Sequence, residues 1–324
     1  MNLSETSSDL SPAALFGSLP VLKIGFDVHI PHRSRLPRYL GSTWRGMIGW
    51  ELQRLICPFH HKPECKSCSI QDHCPYYMLF EKETVLSGIR DAPRGYILYP
   101  PICPEADQVL EITLIGQCAR CLPVVMTGVI EGGARGLGSE RVRYDINELW
   151  EYLPGGHRRA LSSGADAISD ASGPFPLSDW LDERHYDVCQ PDAFQAFFLT
   201  PLRLRKHGRY MDQMNWPFFF STIACRLEAM NCLFHTGAAL GKETYLQLRP
   251  CFEAMSEFSA QLKWIDYSRF SNRQQRKLLM GGLVGDVCAL EPLPDNLRCW
   301  WRAASLLHVG KGASMGLGKI ALSE

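Results

Sequence analysis

Hydrophobic positions fall into two similar series along the chain. Residues 20–30 (PVLKIGFDVHI) form a run rich in branched and aromatic residues, the signature of a β-strand, and residues 194–205 (FQAFFLTPLRLR) repeat its character. Behind the first run, Trp44, Met47, Ile48, Leu52, Leu55 and Ile56 recur at three- and four-residue spacing, with Ser42 as a candidate N-cap. Behind the second, Phe219, Ile223, Leu227, Met230 and Phe234 do the same. Another apolar helical stretch follows in each half, around 121–130 and 297–307. Each leads into a glycine-rich turn, GARGLG at 133–138 and GASMGLG at 312–318, and then an apolar run. This order, met twice, predicts an α+β chain of two tandem ferredoxin-like domains (βαββαβ, RRM-like).

The pattern places a first domain at 19–154, with a Cys-rich insert at 57–80, and a second at 193–324 that ends in the glycine-rich loop and a final strand. Between them, 155–192 contains LSSGADAISDASGPFP, which has no apolar period and is expected to be a linker. Residues 1–18 are expected to be flexible on the same compositional grounds. With 324 residues and 46% apolar composition, the chain can bury one or two sizeable cores. The 34 basic residues balance 34 acidic ones, so any nucleic-acid surface must be local, and the clusters at 29–45, 203–209 and 269–277 are where it would lie. The first residues lack the positive charge of a secretory signal, and no stretch approaches the ~18 apolar residues of a membrane span, so a cytoplasmic protein with no membrane partner is expected.

Cys57, Cys65, Cys68 and Cys74 fall in CPFHHKPECKSCSIQDHC, a segment with little apolar content. A CxxC pair lets two thiolates from one turn bind one ion, and two further cysteines complete a tetrahedron, so a structural zinc is expected, with an iron–sulfur cluster as the other occupant thiolates could hold. His60, His61 and His73 are spare donors. Four protein ligands leave no open position for a substrate, which argues against a zinc-dependent nuclease. Cys118 and Cys121 share the spacing without a partner pair and read as buried thiols.

Gly310, Gly312, Gly316 and Gly318 surround Lys311, a composition that lets backbone amides approach a phosphate. The order is not GxxxxGK[ST], and no helix follows to make a dinucleotide fold.

TWRGMIGWELQRLIC after the first strand, CPYYMLFE closing the Cys-rich insert, TPLRLR, WIDYSRFSNRQQRKLLMGGLVGDV and HVGKGASMGLG together resemble the CRISPR-associated RAMP endoribonucleases that process precursor CRISPR RNA. The resemblance spans about residues 20–322. It implies metal-independent cutting within each repeat, in which the substrate's 2′-hydroxyl attacks and leaves a 2′,3′-cyclic phosphate and a 5′-hydroxyl. It also implies repeat or guide RNA and other subunits of a CRISPR effector complex as partners, with the glycine loop on the RNA-binding side. Such a reaction needs a base, an acid and positive charge on the phosphorane. Because the family draws its histidine from the region of the first strand and helix, His29, His32 and Tyr39 are candidates, with His60 or His61 admissible and His308 and Lys311 on the other wall. Arg38, Arg45, Arg203, Arg205, Lys206, Arg269 and Arg273 are candidate phosphate contacts, and Ser271 and Gln274 could read base edges. A rival from another class is a catalytically silent RAMP subunit that holds guide RNA in an interference complex.

Overall fold

The computed structural model describes residues 10–59, 65–82, 92–162, 170–185, 194–254, 258–271 and 276–323. It is a mixed α+β structure built on two antiparallel sheets. In the first half, β1 (Pro20–His29) lies between β3 (Asp107–Ile115) and β4 (Asp145–Tyr152), with β2 (Tyr96–Tyr99) outside β3 and β5 (Arg158–Ala160) outside β4. The helix α2 (Gly41–Ile56) connects β1 to β2, and α3 (Leu122–Arg135) connects β3 to β4. In the second half, β7 (Gln195–Leu202) lies between β13 (Gly282–Ala289) and β14 (Ile320–Ser323), with β10 (Phe258–Ile265) outside β13. There α5 (Trp216–Phe234) and α6 (Lys242–Ala254) connect β7 to β10, and α7 (Asp295–Leu307) connects β13 to β14. Both sheets thus put the first strand of the half between its third and fourth, with the second outside the third.

The apolar period of α2 explains its seat. Trp44, Met47, Ile48 and Leu52 are buried, and Trp44 meets Tyr144 edge-on at 4.8 Å between ring centroids. Small residues on α3 let the two helices close up: a Cβ on Gly132 would come within 2.4 Å of the Met47 sulfur. The second core is aromatic. Trp301, fully buried, has Phe194, Phe198, Trp216, Phe219, Phe220 and Phe258 within 5.0–6.3 Å of its ring.

Two segments differ from the sequence expectation. Within the stretch expected to be flexible, Pro12–Phe16 forms a short helix, α1, capped by the Ser11 hydroxyl, because Phe16 is buried and α1 packs against α5 and α7 of the other half. Within the expected linker, β6 (Phe175–Pro176) pairs with the start of β1, and Leu177–Leu181 forms a helix, α4, that buries Leu177, Trp180 and Leu181. The Trp180 indole donates to the Val21 carbonyl at 3.2 Å. Residues 175–181 of the expected linker are therefore packed onto the first half. Among the described residues no helix is long and apolar enough to cross a membrane.

Candidate nucleic-acid interface

The glycine loop after α7 is held from both halves. Gly310, Gly312, Gly316 and Gly318 all have positive φ (82°, 90°, 87° and 69°), which is why a side chain is absent there. On its own half, the Thr200 hydroxyl donates to the Gly316 carbonyl at 2.8 Å, the Gly318 amide to Pro201 at 3.1 Å and the Lys311 amide to Arg203 at 3.0 Å. Across the halves, the Tyr39 hydroxyl donates to the Met315 carbonyl, and Gly41, first residue of α2, leaves no space for a Cβ beside that same oxygen.

The segment before α2 is shaped by Arg33. Its guanidinium is buried and donates to the carbonyls of Pro37 (2.9 Å) and Arg38 (2.8 Å), folding residues 33–38 back on themselves. That fold presents Arg38 and Tyr39 to Tyr267, which leads into the hairpin of β11 (Ser268–Ser271) and β12 (Arg276–Leu279): the Arg38 guanidinium lies 6.0 Å and the Tyr39 ring 5.8 Å from its ring. A second basic and aromatic patch continues from Arg203, which bridges to Gly310. Arg203 and Arg205 lie 4.3 and 6.0 Å over Tyr210, and Lys206 lies 5.4 Å from the Phe218 ring. Exposed cations interleaved with aromatics suit a phosphate backbone with stacked bases.

The candidate residues separate by exposure. His29 is accessible and its Nδ1 lies 2.6 Å from an exposed Asp107 carboxylate; His32 is exposed at the start of a short 3-10 turn. His308 is only 2% exposed, and its Nδ1 donates to the Leu317 carbonyl at 3.2 Å. Burial first, then the charges of Lys319 and Arg226, hold its ring well below the usual histidine range, so it is neutral. Tyr39 is buried as well. Arg45 donates from Nε to the Tyr96 hydroxyl at 2.9 Å and covers the Phe80 ring at 5.5 Å, an anchor within the first half. Arg269 and Ser271 lie on β11, while Arg273, Gln274, His60 and His61 lie outside the described residues.

Cys57 ends α2, Cys65 opens a 3-10 turn, and Cys68 and Cys74 follow on turns of their own; all four are half-buried free thiols. Burial pushes the Cys65 thiol up, and Glu81 and the other three cysteines push it the same way. Among the described residues no three His, Cys, Asp or Glu side chains group closely enough to hold an ion.

One half-buried charge was not legible in the sequence. Lys319, just before β14, donates from Nζ to the Ser305 carbonyl at 3.1 Å and lies 5.5 Å from the Tyr99 ring. Burial, then the nearby Lys23, pushes its ammonium down to about 7. A cleft of about 650 Å³ opens on the first half, between residues 35–43, α2 and the turn at 136–141.

Comparison with known proteins bears on this arrangement. Residues 197–320 match the family model of the CRISPR-associated endoribonuclease Cas6, and residues 19–172 match a model described as an N-terminal domain. Among curated proteins no match was found. Similar solved structures include a Cas6 product complex (14% identity, TM-score 0.54, 94% of this chain and 99% of that one) and Thermus thermophilus Cas6 (14%, 0.52, 94% and 99%). A partial Cas6-RT-Cas1–Cas2 complex is also similar (12%, 0.53, 97% and 47%). These structural likenesses are of fold. The match of residues 197–320 to the Cas6 endoribonuclease model agrees with the RAMP resemblance of the sequence.

Proposed function

We propose that this chain is a CRISPR RNA-processing endoribonuclease that cuts precursor CRISPR RNA within its repeats by attack of the 2′-hydroxyl, without a catalytic metal. The observation that carries the reading is the docking of the second half's glycine loop onto Tyr39 and Gly41 of the first, beside which Arg38 and Tyr39 meet Tyr267 of the second half. The strand and helix order of each half is read as a ferredoxin-like unit, with the seam between the two units as the RNA path.

Roles follow from exposure. His29 and His32, on the surface, are the proton-transfer groups: one removes the 2′-hydroxyl proton, the other protonates the leaving 5′-oxygen. Asp107 would orient the His29 ring in the first of these tasks. Lys311 and Arg38 face the phosphate charge, and Arg203, Arg205 and Lys206 continue the path. Tyr39 and His308 are positioning residues, since both are buried and both bond to carbonyls of the glycine loop. Repeat RNA and other CRISPR proteins are the partners in this reading, which the product complex and the Cas6-RT-Cas1–Cas2 assembly among the similar structures support.

A structural zinc ion on Cys57, Cys65, Cys68 and Cys74 belongs to the same proposal. What supports it is the donor set, four half-buried thiols in a segment with few apolar contacts. Such an ion would fasten the insert and supply no open coordination position. Elemental analysis of purified protein distinguishes zinc from an iron–sulfur cluster, and neither metal at one equivalent per chain would reject the site.

The activity is tested by incubating the protein with its repeat RNA in excess EDTA and mapping the ends. A cut leaving a cyclic phosphate, lost in His29→Ala or His32→Ala with binding intact, is expected. Tight binding with no cut in the wild type would instead identify a guide-holding subunit.

A further inference from the structure

Apart from Tyr39, which lines it, the cleft on the first half is not used by the roles assigned above. Its walls come from the segment before α2, from α2 itself and from the first half's own glycine turn. That turn is the counterpart of the docked loop in the second half, and here it lines the cleft. Gly136 and Gly138 have positive φ, and so does Arg141 at 51°, one of three non-glycine residues in that conformation among those described.

The chemistry of the walls is uneven. Arg35 and Arg141 are exposed, and neither is ion-paired among the described residues. Arg135 is held at the wall by Glu51 (3.3 Å) and Glu131 (3.6 Å). Glu51 is fully buried; one carboxylate oxygen takes Arg54 at 2.9 Å together with Arg135, and the other, Oε1, has no hydrogen-bond donor. This buried carboxylate fixes Arg54 and Arg135 rather than facing solvent. Trp50, beside it, is 47% exposed. From Thr43 to Trp50 the cleft follows two turns of α2, about 11 Å of helix rise, with open space over Gly46 between them.

We propose that this cleft is a binding subsite for one nucleotide of the RNA, taking its phosphate between Arg35 and Arg141 and its base face on Trp50. The proposal rests on the RNA-processing reading and adds a contact away from the seam. Exposed arginines and an exposed aromatic face in one cleft match the phosphate and the base of a nucleotide, while Glu140 beside Arg141 disfavours an acidic peptide, which would also leave Trp50 unanswered.

The test measures anisotropy of labelled repeat RNA with the full chain across a salt series, together with single-turnover cutting at saturating protein. Arg35→Ala and Arg141→Asn are the variants, the second because asparagine tolerates positive φ. Each is expected to weaken binding about tenfold and to lower the slope of log K against log salt by about one, with the rate of cutting bound RNA unchanged. Trp50→Ala is expected to weaken binding with the slope intact. Affinities and slopes equal to wild type for both arginine variants, in a wild type that binds and cuts, would overturn the subsite alone. A wild type that neither binds nor cuts would overturn the RNA reading first. Capture of a polyglutamate peptide that both arginine variants lose, with RNA affinity unchanged, would assign the cleft to a protein partner instead.

Discussion

The hydroxyl of Tyr39, in the first half, donates to the main-chain oxygen of Met315, in the glycine loop of the second. The bond is enclosed: Tyr39 is 4% exposed, and Gly41 and Gly316 crowd the same spot too closely for a Cβ on either. One side chain of the first half therefore sets where the loop of the second half sits.

Tyr39→Phe keeps the ring and removes the donor, leaving the Met315 carbonyl buried without it. A loss of about 1–3 kcal/mol of stability is expected, read by denaturant unfolding. RNA affinity should fall with it, while cutting at saturating RNA stays near wild type, as befits a positioning residue.

Gly41→Ala puts a methyl group against a backbone oxygen at 1.8 Å, and neither partner is a flexible side-chain end that could swing away. The loop must lift, so RNA binding should drop more than in Tyr39→Phe. Gly46→Ala, on the same helix with nothing within 4 Å, is the contrast: it should stabilise the protein by about 0.5–1 kcal/mol through helix propensity. Thermal melts of the two variants check both directions.

His308 is neutral when folded and titrates near its usual value when unfolded. Between its lowered folded pKa and about 6.5 the unfolded chain holds more protons, so this group's contribution is full above about 6.5 and is lost as pH falls below it. His308→Asn offers a similar donor to Leu317 and tolerates the positive φ of 55°. Its stability between pH 4 and 7, taken from urea midpoints, is expected to fall less steeply with acid than that of wild type.

Lys319 gives a second window. Its folded pKa of about 7 lies below the usual lysine value of 10.5, so the unfolded chain again binds more protons between the two, and stability from this group rises with pH from about 7 to 10.5. Lys319→Met should flatten that rise. An unchanged slope in the variant would show that the ammonium is solvated in the native protein.

Much of the local structure was legible in the chain. The helical periods of α2 and α5 name the residues that are buried, Trp44 and Leu52 in one and Phe219, Ile223 and Met230 in the other, because a face that packs on a sheet must be apolar every three or four residues. The glycine turns were legible because only glycine adopts those backbone angles freely. Less so was α4: its apolar residues are too few for a period, and Trp180 reveals its place only through its bond to Val21.

By itself, then, the sequence determined the first strand and the two main helices of each half, their order and the glycine turns, all of which depend on residues within a few positions of one another. Only the tertiary structure decided that the second half's loop rests on Tyr39 and Gly41, that His308 and Lys319 are desolvated while His29 and His32 are not, and that Arg45 is an anchor. Those outcomes depend on which surfaces meet across some 270 residues of chain, as between Tyr39 and Met315, 276 apart. Burial and charge at a site are sums over neighbours from both halves, and no local pattern encodes them.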